Sequence, residues 1–139
     1  ALKEAKNYST EVIIEKSFNG PEYTVALLKG KPLTPLQILH DPIRGFYDYE
    51  AKYNSQNTQK IKIEDESIVK RLKEISEKVF DCLNCKTWAR VDFVSEGEKL
   101  AVIEINSVPG FTAKSLFPLA AKYSGIEYKE LISLIIEDC

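Results

Sequence analysis

Two stretches of alternating side chains, residues 87–94 and 99–106, are separated by only Ser95-Glu96-Gly97-Glu98. Alternation with a period of two marks a strand, and a short gap holding a glycine joins two such strands as an antiparallel hairpin. Side chains two apart on a strand share a face. Arg90 and Asp92 therefore lie together, with Val91 and Phe93 behind them, and Glu104 and Asn106 lie together, with Ile103 and Ile105 behind. Paired through the 95–98 turn, Arg90, Asp92, Glu104 and Asn106 are expected to converge on one side of one hairpin.

The remaining segments suit a sheet of which this hairpin is one part. The run Val12-Ile13-Ile14 predicts a strand over 11–18, ended by the turn residues Asn19-Gly20-Pro21. A second strand is expected over 22–29 and a tight turn at Lys29-Gly30-Lys31. A third is expected over 32–39, read as an edge strand because it holds Pro32 and Pro35. Residues 40–62 have no regular pattern but carry Phe46, Tyr47, Tyr49 and Tyr53, aromatics that a solvated linker seldom holds and a binding lid does. Between Asp65 and Leu83, Ile68, Leu72, Ile75, Val79 and Cys82 or Leu83 form one apolar stripe, the pattern of an amphipathic helix. Ser115 can cap a helix that Gly125 stops, and a last helix is expected from Tyr128 to about Glu137. The expected class is α+β, an antiparallel sheet flanked by helices on one side, in a single domain over 1–139. Strands fill 12–39, the lid-like loop 40–62, and the long helix, the hairpin and the final helices 65–139.

Composition narrows the partners. With 44% hydrophobic and 29% charged residues the chain is globular, and a net charge of -2 leaves no basic surplus for nucleic acid or an anionic membrane. No apolar run approaches the ~20 residues of a membrane span, and residues 1–6 lack the apolar core of a signal peptide, so a cytoplasmic protein is expected. Cys82 and Cys85 form a C-x-x-C, but there is no second such pair and the only histidine is His40; ordinary half-buried cysteines are the simpler reading. The absence of methionine and a start inside a charged, helix-like stretch lead us to expect a piece of a longer chain.

Two carboxylates and a carboxamide offer all-oxygen ligation, which hard cations such as Mg²⁺ prefer, and an adjacent arginine suits a phosphate or a developing negative charge. On spacing alone the same residues describe a solvent-facing strand with a cross-strand ion pair. The following segment, Asn106-Ser107-Val108-Pro109-Gly110-Phe111-Thr112 with Ser115-Leu116 beyond, adds a Pro-Gly turn and a helix start, whose exposed N–H groups bind anions. A capped helix after a turn is the plainer alternative.

The segments Glu15-Lys16-Ser17-Phe18-Asn19-Gly20-Pro21-Glu22, Phe46-Tyr47-Asp48-Tyr49-Glu50-Ala51-Lys52-Tyr53, Arg90-Val91-Asp92 and Glu104-Ile105-Asn106 through Thr112, with Ser115-Leu116, closely resemble the D-alanine–D-alanine ligase family in order and spacing. The resemblance runs from about Val12 to the end and implies the C-terminal portion of an ATP-grasp fold. It implies that Asp92, Glu104 and Asn106 hold two Mg²⁺ ions, with Mn²⁺ as a substitute, that bridge the phosphates of ATP. Arg90 and the backbone N–H of Gly110 would stabilise the tetrahedral intermediate. Glu15, Lys16 and Phe18 would hold adenine, Glu22 the ribose, and Lys52 the terminal phosphate. Tyr53 would help close the loop, while Ser115 and Leu116 receive the carboxylate of the second D-alanine.

The implied activity joins two D-alanines through an acyl phosphate for peptidoglycan synthesis. The resemblance also implies a homodimeric parent and an N-terminal half that supplies a phosphate-binding lysine, a glycine-rich loop and contacts to the first D-alanine. None of these is found in the sequence, so the chain alone is expected to be inactive. Two rival readings are a ligase that accepts D-lactate or D-serine, which Glu50 to Tyr53 argue against, and a non-catalytic nucleotide-binding module. The module reading conflicts with the presence of Arg90, Asp92, Glu104 and Asn106 together.

Overall fold

A computed structural model describes residues 1–39 and 59–137. Its elements in chain order are α1 (Leu2–Ala5), β1 (Glu22–Leu28), β2 (Lys31–Pro32), β3 (Leu36–Leu39), β4 (Gln59–Lys62), α2 (Glu66–Cys82), β5 (Trp88–Glu96), β6 (Lys99–Asn106), α3 (Leu116–Tyr123) and α4 (Tyr128–Ile136). The strands form one antiparallel sheet in the order β4-β3-β1-β5-β6, with β2 folded back on β1.

β1 is the central strand and is buried on both faces. Tyr23, Val25 and Leu27 join Ala89, Val91 and Phe93 of β5 against Leu72 and Phe80 of α2. Ala26 and Leu28 join Leu36 and Ile38 of β3 against Phe117, Ala120 and Ala121 of α3 and Leu131 of α4. The helices therefore cover both faces, not one as the pattern of alternation suggested. A strand apolar on both sides reads as alternation only when one side is small, and Thr24 and Ala26 disguised the second face.

Three strand boundaries also differ from expectation. Residues 11–18 form no strand, and Ile13 and Ile14 are 84% and 78% exposed. Both edges of β1, the strand that follows in sequence, are already taken, by β3 with β2 and by β5, so the segment cannot pair with it as a hairpin. The expected strand over 32–39 divides around Leu33-Thr34-Pro35, because Pro35 offers no N–H to a ladder. Its second part, β3, is interior, since β4 pairs outside it (Leu36↔Lys62 to Leu39↔Gln59). Residues 59–62, expected to close a loop, are thus strand; the rest of that segment, with His40, Phe46, Tyr47 and Tyr49, lies outside the described residues.

The helix ends show how local chemistry sets boundaries. Asp65 caps α2, its Oδ1 accepting from the backbone N–H of Ser67 at 2.8 Å and of Ile68 at 3.3 Å, and from the Ser67 hydroxyl at 2.6 Å. At the other end Asn84 turns left-handed (φ 52). Its N–H then donates to the Asp81 carbonyl, and the Cys85 N–H reaches back to that of Phe80, both at 3.0 Å, a Schellman closure. Cys85 packs against the same core as Phe80, while Cys82 is exposed. The apolar stripe accordingly ends on Phe80 and Cys85, not on Cys82 or Leu83, because the left-handed residue redirects the chain. α3 closes the same way, with Gly125 at φ 83 and the Ile126 N–H bonded to Ala121 at 3.0 Å.

Phe93 is fully buried between β1, β5 and α2, so Phe93→Ala should lower stability by about 3–5 kcal/mol in urea unfolding. The Ser67 hydroxyl first, then the Ile68 and Ser67 N–H groups, hold the Asp65 carboxyl below the usual aspartate value. A lowered folded value contributes stability that is complete above the ordinary value of about 3.9 and disappears as pH falls through the folded one. Wild type should thus melt above Asp65→Ala at neutral pH, and the two curves should converge in strong acid.

Candidate active site

The hairpin register brings the four expected residues together. Arg90 lies opposite Asn106 and Asp92 opposite Glu104, and a bulge then shifts the pairing so that Phe93 faces Val102. The extra residue at Ile103 lies outside the ladder and is exposed, whereas Ile105 reaches the core behind the site.

Asp92 is the hub. The Arg90 guanidinium grips it through two bonds, Nε to Oδ1 at 2.8 Å and Nη2 to Oδ2 at 2.6 Å. Such a fork is the strong form of a charge-assisted bond, and the two side chains are only 14% and 16% exposed, so water screens them little. The Thr24 hydroxyl donates to Oδ1 at 2.7 Å from the neighbouring strand. The Asn106 amide spans both acids, with Nδ2 3.2 Å from Asp92 Oδ2 and 3.1 Å from Glu104 Oε1.

That arrangement fits a divalent cation. Two carboxylates and one amide are fewer ligands than an all-protein cage requires, which is how Mg²⁺ is held when substrate phosphates complete its shell. The amide nitrogen now lies between the acids; turned by half a rotation, it would present its oxygen to the same space. Asp92, Glu104 and Asn106 are the residues that would hold such an ion.

Of the other expected residues, Glu22 lies on the same sheet face. Glu22, Thr24 and Ala26 alternate on β1 opposite Val94, Asp92 and Arg90. Four residues of strand span about 13 Å, comparable with a nucleotide from ribose to terminal phosphate. Beyond Glu22, residues 16–18 lie beside the hairpin turn: Lys16 pairs with Glu96, and its Nζ sits 4.9 Å above the Phe18 ring. Gly20 permits this approach, since a Cβ there would lie 1.9 Å from the Ser95 carbonyl oxygen. Glu15 is exposed on the same segment. Lys52 and Tyr53 lie outside the described residues.

Past Asn106 comes the Pro-Gly turn. Ser115 occupies the N-cap position of α3 but makes no cap bond. Its Oγ turns back to accept from the Thr112 N–H at 3.0 Å and pairs with the Thr112 hydroxyl at 2.9 Å, so it braces the turn instead of capping the helix. Gly110 lies close by, a Cβ there falling 3.3 Å from Ser115 Oγ. Leu116 buries its side chain in the core, which leaves its helix-start N–H as the group able to meet a ligand. Phe111 anchors the turn through edge-on contact with Trp88 (5.3 Å between ring centroids), and Tyr128 donates to its carbonyl at 2.8 Å.

Sequence reasoning missed Thr24, Trp88, Tyr128 and Lys60. Thr24 was legible in principle, as the hydroxyl inside the otherwise apolar run from Tyr23 to Leu28. Lys60, on β4, donates to the Lys114 carbonyl at 2.8 Å, and burial, then the Arg90 charge, lowers its proton affinity. Thr24→Val keeps the shape but removes a bond to a half-buried carboxylate, and should lower stability by about 1–3 kcal/mol in urea unfolding.

Comparison with known proteins gives this geometry a lineage. The family model described as "D-ala D-ala ligase C-terminus" matches residues 1–137. D-alanine–D-alanine ligases of Aquifex aeolicus and Vesicomyosocius okutanii are 39% and 42% identical over 98% and 99% of the chain. The chain spans about half the length of these relatives, 49% and 47%. A crystal structure of the Bacillus anthracis D-alanine–D-alanine ligase complexed with ATP superposes over 99% of this chain and 44% of its own, with a TM-score of 0.82 and 30% identity. A second structure of that ligase gives 0.83 at 35% identity, covering 99% of this chain and 45% of its own. The chain belongs to the D-alanine–D-alanine ligase family and corresponds to its C-terminal part.

Proposed function

We propose that this chain supplies the nucleotide- and metal-binding lobe of a cytoplasmic, homodimeric ligase that joins two D-alanines at the expense of ATP. The observation that carries the reading is the cluster of Asp92, Glu104, Asn106 and Arg90 on the sheet face that also bears Glu22, with Lys16 and Phe18 beside the hairpin turn before it and Gly110 and Ser115 in the turn after it. This order follows that of adenine, ribose, phosphates and acyl group in such a reaction.

A carboxylate oxygen of the first D-alanine takes the terminal phosphoryl group, and ADP leaves. The amine of the second attacks the acyl carbon, loses a proton, and phosphate departs. Asp92, Glu104 and Asn106 would hold two Mg²⁺ ions, which neutralise phosphate charge. Lys52 would bind the terminal phosphate, and Tyr53 would help close the site. Arg90 and the Gly110 N–H face the acyl centre and stabilise its oxyanion, which is worth most in a site shielded from water. Ser115 and the Leu116 N–H receive the carboxylate of the attacking D-alanine. No side-chain nucleophile is required; the residues position, neutralise and exclude water.

The test joins the chain to the upstream half found in its relatives and follows phosphate release with ATP and Mg²⁺. Release should occur with D-alanine alone, fall by roughly 10²–10³-fold in Glu104→Gln, and be absent from the 139-residue chain by itself. Release only after D-lactate is added would assign a different second substrate. No release with either would overturn the reading.

A further inference from the structure

β4 is the outermost strand, and its register (Glu22↔Ile38, Ile38↔Lys60) puts Lys60 on the same sheet face as Glu22, Asp92 and Arg90. An edge-strand lysine ordinarily extends into water. Lys60 instead reaches across to the carbonyl of Lys114, 2.8 Å away and 54 residues on, directly before Ser115. Its neighbour on the same face, Lys62, is placed differently, with Nζ 4.7 Å over the Tyr123 ring of α3. Lys60 is thus the lysine of β4 directed at the Pro-Gly turn.

We infer that Lys60 is a positioning residue for the attacking amino acid: it clips the 110–115 turn to the sheet and holds an ammonium toward that substrate's carboxylate. The inference rests on the ligase reading above and names a residue outside the set expected from the motifs. An ammonium has three donors, so the bond to Lys114 does not exhaust it. Burial, then the charge of Arg90, lowers the proton affinity of Lys60. The remaining donors lie next to the start of α3, where the ligase reading puts an amino-acid carboxylate at Ser115, and an ammonium there would bind it. The turn is also braced by Phe111 on Trp88 and by Tyr128, and Lys60 adds a restraint from β4.

Two measurements test this. In the protein carrying the upstream half, Lys60→Met keeps the aliphatic stem and removes the charge. The KM for the attacking D-alanine should rise roughly 10- to 100-fold, the scale of one lost bond to a charged group, while kcat and the KM for ATP change by less than about threefold. Lys60→Arg should restore most of the loss. An unchanged KM for that D-alanine, or an equal fall in kcat for both variants, overturns the inference. The second measurement needs no turnover. Trp88 is the single tryptophan of the 139-residue chain and touches Phe111, so its emission reports on the turn. Lys60→Met should red-shift that emission and increase its quenching by acrylamide. Unaltered emission overturns the clip. If the wild type ignores D-alanine while Lys60→Met still changes Trp88 emission, the ligase reading and the carboxylate role are refuted and the clip stands.

Discussion

The pairing of β5 with β6 is the constraint on which the rest depends. Strand side chains alternate, so a slip of one residue would send Glu104 and Asn106 into the core and Ile105 into the open. The register is secured from behind, by Val91, Phe93 and Ile105 packing against α2, on the face opposite the polar contacts. The acidic cluster is therefore a by-product of hydrophobic burial on the opposite face.

What was legible in the sequence follows the range of the forces. The hairpin, α2 and the two C-terminal helices were readable because periodicity, caps and turn glycines act within a few residues. The convergence of Arg90, Asp92, Glu104 and Asn106 was readable because one hairpin contains all four. Residues 11–18 misled because a β-rich sequence names a strand without naming its partner, and β1 already had neighbours on both sides. β4 was hidden for the converse reason: Gln59 to Lys62 holds one apolar residue, and its pairing with β3 is a tertiary fact. Ser115 shows a subtler limit. Its position as a helix start was correct, but its hydroxyl serves the turn before the helix, and nothing local distinguishes the two uses.

The family match and the geometry answer different questions. The match says what the chain descends from, and it would be the same if a few side chains at the site had been replaced. The geometry says that the oxygens, the guanidinium and the turn still face one space. Thr24 illustrates the gain from combining them, since its role as a buried donor to Asp92 comes from the strand pairing of β1 with β5 and from no motif.

The close approach at Gly20 has a mechanical consequence. The Pro21 carbonyl accepts from Ser95, and the missing side chain at Gly20 lets the backbone there rest directly on the hairpin. The segment proposed to hold the base is thereby bolted to the strands proposed to hold the metals. Whatever motion opens and shuts such an enzyme, these two grips would travel together as one jaw, so that the distance from base to phosphates stays constant through the cycle and only the opposing jaw swings.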